Sequence, residues 1–317
     1  MCLESCNSAV ICPYQPQAAK LSQMRSLRLC PAALNPCASV LRSCELVVAG
    51  CRHVSIDSAA ITSLASDIRL NSERYLRHCD WNTDWHFHDP DDPELTTQYL
   101  FVVDALNFCF WPSPGFEYED LVRSIKLVVE RDPHALDADR LESIDAVTLA
   151  AWFQARTLHN MEERTLRLQE LGAALLAQYD GKAYNLVKSC DRSAVQLVRR
   201  VLQELPGFRD TTVIDGRLIH FYKRAQILCG DLWAAFGKGK DPDSCFSFYD
   251  MHELTMFADY RVPQLLHHLK VLHYEPDLEQ KILSRTEIES GSRMEVASLF
   301  MPPSNVISST LLGRDQS

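Results

Sequence analysis

The chain has no run of 18 apolar residues, so it carries no segment that could cross a membrane as a helix. It also lacks any Lys/Arg-rich stretch, and its 32 Lys and Arg stand against 42 Asp and Glu for a net charge of -10. Duplex nucleic acid binds proteins through phosphates neutralised by basic surface, so no duplex nucleic acid partner is expected. C-x-x-C pairs are missing, and the His nearest the N-terminal cysteines is His53, which argues against a zinc site. No internal repeat is visible.

What is present is ordinary globular composition: 317 residues, 46% of them hydrophobic, enough for one large or two medium domains. Seven of the 12 cysteines fall in the first 51 residues, and the others (Cys79, Cys109, Cys190, Cys229, Cys245) are scattered like small buried residues of a reducing compartment. Residues 1–50 hold only Glu4 and Glu45 as acids against Lys20, Arg25, Arg28 and Arg42. That segment reads either as an organelle transit segment or as an unstructured extension, and it is set outside the fold. Localisation is accordingly expected to be cytoplasmic, or organellar if the segment directs import.

Helical periodicity dominates the rest. Ile56, Ala60, Leu64, Ile68 and Leu70 predict one helix of five or six turns running on to about His78. Residues 82–94 are polar, acidic and Pro-containing, hence a loop. Tyr99 to Trp111 is the most apolar run of the chain, a buried helix whose Asp104 and Asn107 must find partners. Further helices are expected near 121–130, 145–154, 160–179, 193–205 and 221–236. Asp215-Gly216 between two β-branched runs marks a hairpin over 211–220. The fold class is therefore mainly α with a small β-hairpin component.

Asp259 stands out in Thr255-Met-Phe-Ala-Asp-Tyr-Arg-Val-Pro263. Asp250 and Glu253 have capping-box spacing, predicting a short helix from Met251 to Ala258. Pro263 suits the first turn of a second helix whose apolar stripe is Val262, Leu265, Leu266, Leu269 and Leu272. Asp259 falls between them, where a helix N-terminus favours an ionised carboxylate. It is either a capping acid or a catalytic one. On the preceding helix, Arg224 and Asp231 lie seven residues apart on one face, and Lys223-Arg224 sits between Phe221-Tyr222 and Ala225. That is either a surface pair or a cation held against a buried anion or phosphate.

Phe221-Tyr-Lys-Arg-Ala-Gln-Ile-Leu228, Thr255-Met-Phe-Ala-Asp-Tyr-Arg-Val-Pro-Gln264 and Asp104-Ala-Leu-Asn-Phe-Cys-Phe-Trp111 resemble the signature segments of the queuosine salvage proteins, the queuosine 5′-phosphate N-glycosylases. The resemblance covers roughly Ser55 to Val296. It implies a helical bundle-like domain at 51–296, similar to helix-hairpin-helix DNA glycosylases, that hydrolyses the N-glycosidic bond of queuosine 5′-monophosphate and releases queuine for tRNA modification. The partner is then a small-molecule substrate, and no cofactor or metal is expected. Asp259 takes the place of the family's nucleophile or transition-state stabiliser, consistent with a carboxylate facing an oxocarbenium-like sugar. Phe257 would pack against the base, with Tyr260 alongside; Asp231 would recognise the base or fix Lys223. Lys223, Arg224 and Arg261 are candidate phosphate partners, with structural ion pairs the alternative for each. His86 ranks before His88 for a substrate-contacting His, and Asp104 and Asn107 brace the core.

Residues 297–317 match no family motif and are expected to be a disordered tail in place of the family's C-terminal region, as in a truncated isoform. Two other readings remain open on the sequence: an inactive or binding-only isoform, and a DNA-glycosylase-like enzyme acting on another nucleoside.

Overall fold

The computed structural model describes residues 35–300 apart from 77–80, 111, 112, 114, 155, 157, 260 and 290. Its elements in chain order are α1 (Pro36–Ala49), β1 (Val54–Ile56), α2 (Ser58–Leu70), α3 (Ser72–Leu76), α4 (Pro93–Leu106), α5 (Tyr118–Arg131), α6 (Ala138–Ser143), α7 (Ala146–Trp152), α8 (Met161–Gln178), α9 (Ala183–Lys188), α10 (Ala194–Glu204), β2 (Thr211–Ile214), β3 (Arg217–His220), α11 (Lys223–Ala235), α12 (Arg261–His268), β4 (Leu272–Tyr274), α13 (Pro276–Leu283) and α14 (Arg293–Phe300). The mainly α class follows directly.

The core is built around α4. Asp92 caps it by accepting from the Leu95 N–H at 2.9 Å, Pro93 opens its first turn, and every residue from Tyr99 to Val103 is fully buried. Helices α5, α8, α9 and α11 pack around it. Such an all-round apolar helix lies inside a bundle rather than on its surface. Its last carbonyls, left without intrahelical partners, are taken by two buried arginines: Arg164 donates to Leu106 O and Phe108 O, and Arg224 to Ala105 O at 2.9 Å. Burial lowers Arg164 to about 9, which still leaves it charged at neutral pH. Gly172 on α8 lies so close to α6 that a Cβ there would overlap Glu142 N and Ala138 O, both backbone atoms.

Several expectations need correction. The fold does not begin after residue 50: α1 packs against β3, α10 and α14 with Cys37, Val40 and Cys44 buried, because those residues repeat at helical spacing beneath an Asn35 cap. The single long helix after Ser55 is two helices preceded by a strand. Ile56 pairs with Leu272, and Asp57 Oδ1 accepts from Ala59 N and Ala60 N to start α2 afresh. Residues 251–253 form one 3₁₀ turn, and 254–258 are not helical. The stripe on α12 is narrower than expected: Leu266 is buried, Leu265 and Leu269 are exposed, and Leu272 belongs to β4. The hairpin at 211–220 forms as read, pairing Thr211 with His220 and Ile214 with Arg217. Residues 1–34 and 301–317, covering most of the expected N-terminal extension and tail, lie outside the described residues.

Candidate active site

The segment leading to Asp259 is moored at two points. The Asp250 carboxylate does not cap its own turn; it accepts from Ser193 Oγ and Ala194 N, each at 2.6 Å, and so caps α10 instead. Gln226, fully buried on α11, accepts from Thr255 N at 2.7 Å and Thr255 Oγ1 at 3.0 Å. These two anchors explain the missing helix, since Thr255 gives its N–H to a side chain rather than to a carbonyl four residues back. Phe257 then lies on α11 at Gly230, where a Cβ would come 3.1 Å from its ring. Gly230 is there because the ring needs the space.

Asp259 caps a helix with one oxygen and faces a lysine with the other. Oδ1 accepts from Arg261 N at 2.9 Å and Val262 N at 3.1 Å, starting α12, while Oδ2 lies 3.9 Å from Lys223 Nζ. Lys223 is mostly buried at the first position of α11, where Asp210 caps the helix through Lys223 N at 2.8 Å and the buried Tyr222 takes a left-handed φ of 51°. Its charge also reaches Asp231 and Asp104. One ammonium therefore serves three carboxylates.

Asp231 lies next to Gly230 on α11, deep in the protein although the residue keeps some exposure, and its Oδ2 has no partner. Burial pushes it up to about 7, with Lys223 pulling the other way. Asp104, on the last turn of α4, is fully buried; Oδ1 accepts from Asn107 Nδ2 at 3.3 Å and Oδ2 has no partner. Burial first and the Asp231 charge second raise its carboxyl well above the usual range. The same two acids help raise the phenols of Tyr99 and Tyr118, after burial. His86 is 6% exposed, and its ring centre lies 4.2 Å from Trp81, 5.9 Å from Tyr118 and 6.3 Å from Tyr99. Burial, helped by Lys126, lowers it to about 4, so it is a neutral imidazole at pH 7. Trp81 Nε1 is buried without a partner.

The expected site residues divide accordingly. Asp259 faces Lys223, whose charge reaches Asp231, and Phe257 covers Gly230 beside Asp231; His86 lies among Trp81, Tyr99 and Tyr118, and the two phenols feel the Asp231 charge. His88 sits further along, its ring 5.8 Å from Phe236 near the C-terminal end of α11. Arg261 is exposed and pairs with Glu117 at 3.3 Å. Tyr260 lies outside the described residues. Arg224 is the clear correction: it is buried, donates to Ala105 O and Gly207 O, and stacks 4.8 Å from Phe108 and 5.4 Å from Phe208. Its donors serve the end of α4 and the turn at 206–208, not a phosphate. Asp104 joins the acids rather than merely bracing the core. Trp81, Tyr99 and Tyr118 were missed: Trp81 lies in a loop and Tyr118 at the first position of α5, where no period marks them, and Tyr99 reads as one more core residue of an apolar helix. A cavity of about 420 Å³ lined by Leu46, Cys51, His53, Asp215 and Arg293 among others shares no residue with this cluster.

The chain is thus a mainly helical domain that gathers buried acids, a lysine and several aromatic rings. Residues 86–298 match the family model described as queuosine salvage protein. The chain is 38% identical over 275 residues to the queuosine 5′-phosphate N-glycosylase/hydrolase of Dictyostelium discoideum, covering 83% of each chain. It is 35% identical over 268 residues to the protein of the same name from Sphaerobacter thermophilus, covering 81% of this chain and 80% of that one, and 30% identical over 280 residues to that of Mus musculus, covering 83% and 81%. The chain belongs to the queuosine salvage protein family.

Proposed function

We propose that this chain hydrolyses the N-glycosidic bond of queuosine 5′-monophosphate and releases queuine. The named activity of its relatives supports this, and the observation that carries it to the site is the double role of Asp259. One oxygen is fixed by two backbone N–H groups and the other stays beside Lys223. A carboxylate so held does not reorganise as charge develops. It therefore stabilises an oxocarbenium-like ribosyl centre, or attacks it, at little reorganisation cost. Lys223 faces the second oxygen of Asp259 and helps orient it. Phe257 offers a face for the 7-deazaguanine ring, and His86, neutral with its ring among Trp81, Tyr99 and Tyr118, offers a hydrogen-bonding group to the substrate. Arg261, exposed at the start of α12 and paired with Glu117, is the candidate partner for the 5′-phosphate, which would have to take the place of Glu117.

The test is to incubate the chain with queuosine 5′-monophosphate and follow free queuine by mass spectrometry, alongside Asp259→Asn. Asn retains capping ability, so the variant should fold while turnover falls at least about 10²-fold, the scale of losing one preorganised electrostatic group. Release that survives the substitution removes Asp259 from this role. No release from the native chain overturns the activity itself.

A further inference from the structure

Among the described residues Tyr222 is the one aromatic side chain on a left-handed backbone, with φ 51° and ψ 32°. A bulky residue in that region is strained, and such strain persists where the surrounding structure over-determines it. Glycine or asparagine would adopt the turn at less cost, so a tyrosine here points to a use for its ring. The ring is buried, and its hydroxyl shares a 2.7 Å hydrogen bond with His220 Nδ1, the two ring centres lying 5.1 Å apart. His220 is itself fixed from two sides. It pairs with Thr211 across the hairpin, and its N–H donates to Ser43 Oγ on α1 at 3.1 Å.

The residue after this turn is Lys223. Its N–H donates to Asp210 Oδ2 at 2.8 Å, and the Tyr222 carbonyl accepts the first bond of α11 from Gln226 N at 3.1 Å, so Asp210 and Tyr222 together set the backbone of the opening turn. The Lys223 side chain is long and flexible, and its Nζ meets Asp259 Oδ2 only at 3.9 Å. A small rotation of the opening turn would carry the ammonium out of ion-pair range. Resting on the glycosylase reading, we propose that the Tyr222–His220 pair is a positioning device for the reaction: it holds the left-handed turn so that the Lys223 ammonium stays opposite the second oxygen of Asp259 as charge develops at the sugar. Both residues act through Lys223 and are positioning residues. The contacts run from Ser43 on α1 through His220 and Tyr222 to Lys223 and Asp259, so a helix that precedes the matched region 86–298 bears on the chemistry.

Tyr222→Phe removes the hydrogen bond and keeps the ring. In that variant kcat for queuine release should fall about 3- to 10-fold, the scale of one net hydrogen bond. KM should change less than kcat, because the Asp259 that Lys223 orients works chiefly in the transition state. His220→Leu should lose as much, and His220→Asn, which presents an amide atom near the Nδ1 position, should recover most of it. The losses should not add. In a Lys223→Met chain, Tyr222→Phe should change kcat by less than about twofold, since residues that act through one another are coupled. A turn residue with only a folding role would instead lower the rate by the same factor with or without the Lys223 ammonium.

The place of Lys223 can also be read without activity. Brief acetylation followed by peptide mass spectrometry gives the labelling rate of Lys223, mostly buried, against that of the exposed Lys182. Tyr222→Phe should raise this ratio at least about threefold, as the ammonium is freed by loss of one net hydrogen bond. An unchanged ratio in folded Tyr222→Phe, or an equal loss of kcat in both backgrounds, overturns the proposal. If Lys223→Met releases no measurable queuine, the labelling ratio decides, and if Tyr222→Phe does not fold, His220→Leu takes its place in both measurements. Absence of queuine release from the native chain would strike the glycosylase reading, while the labelling ratio would still test the turn.

Discussion

Gln226→Leu tests the mooring of the segment that leads to Asp259. The side chain is fully buried and has no charge, and Leu fills most of its volume, so packing changes little. What disappears is the acceptor for Thr255 N at 2.7 Å and Thr255 Oγ1 at 3.0 Å, together with the longer Nε2 bond to Phe221 O at 3.3 Å. The hydroxyl can turn to Met256 O at 3.5 Å, a poor substitute, while the buried N–H loses its partner at a cost of about 1–3 kcal/mol. Taking roughly 2 kcal/mol, and roughly 2 °C per kcal/mol for a large domain, the melting temperature should fall by about 4 °C. Activity should suffer more than stability. Thr255 is four residues before Asp259, and a shift of about 1 Å in that carboxylate can cost on the order of 10²-fold in rate. Thermal unfolding by circular dichroism and kcat/KM for queuine release measure the two effects on one sample. A fall in melting temperature with kcat/KM unchanged would show that Asp259 is held by its α12 cap alone, and the reasoning from Gln226 would fail.

Asp259→Ala should lose as much activity as Asp259→Asn but also about 1 kcal/mol of stability, because only Ala removes the acceptor for Arg261 N and Val262 N; equal urea midpoints for the two variants would contradict this. Arg224→Met should lower the melting temperature by stranding Ala105 O and Gly207 O while leaving KM for the monophosphate unchanged, and a raised KM would restore Arg224 as a phosphate partner. His86, lowered to about 4 from an ordinary value near 6.5, contributes stability above about pH 6.5 that is lost as pH falls toward 4, since only the unfolded chain takes up the proton in that window. Urea titrations of His86→Phe should show a flatter acid limb than the native chain, and parallel limbs would show that His86 is not held neutral.

Helices α5, α8, α10 and α11 were legible from their own apolar periods, whereas α4 was read late, at Tyr99 to Trp111 instead of Pro93–Leu106, because it is apolar all round and its Asp92-Pro93 start falls in the stretch read as a loop. Other misread parts are those where a cap works across the fold. Asp250 and Glu253 have the spacing of a local capping box, yet Asp250 serves α10 and Glu253 accepts from Asn35 Nδ2 at 3.2 Å. Arg224 looked like a ligand for an anion because a cation among apolar residues must have a partner; the partner turned out to be the open end of α4. Ile56 and Leu272 each extended a helical stripe by eye but form an antiparallel pair linking residues 54–56 to 272–274.

The order of residues by itself determined the helical class, the family and the carboxylate on which the chemistry was placed, because these rest on patterns spanning a few turns of chain. It could not decide which acids share one enclosure. Asp104, Asp231 and Asp259 lie on three separate segments, and only packing α11 against α4 and threading 255–259 across Gly230 brings them around Lys223. Burial and charge proximity are properties of that enclosure. Asp104 and Asp231 are ordinary carboxylates in the sequence, and burial raises both in the folded chain.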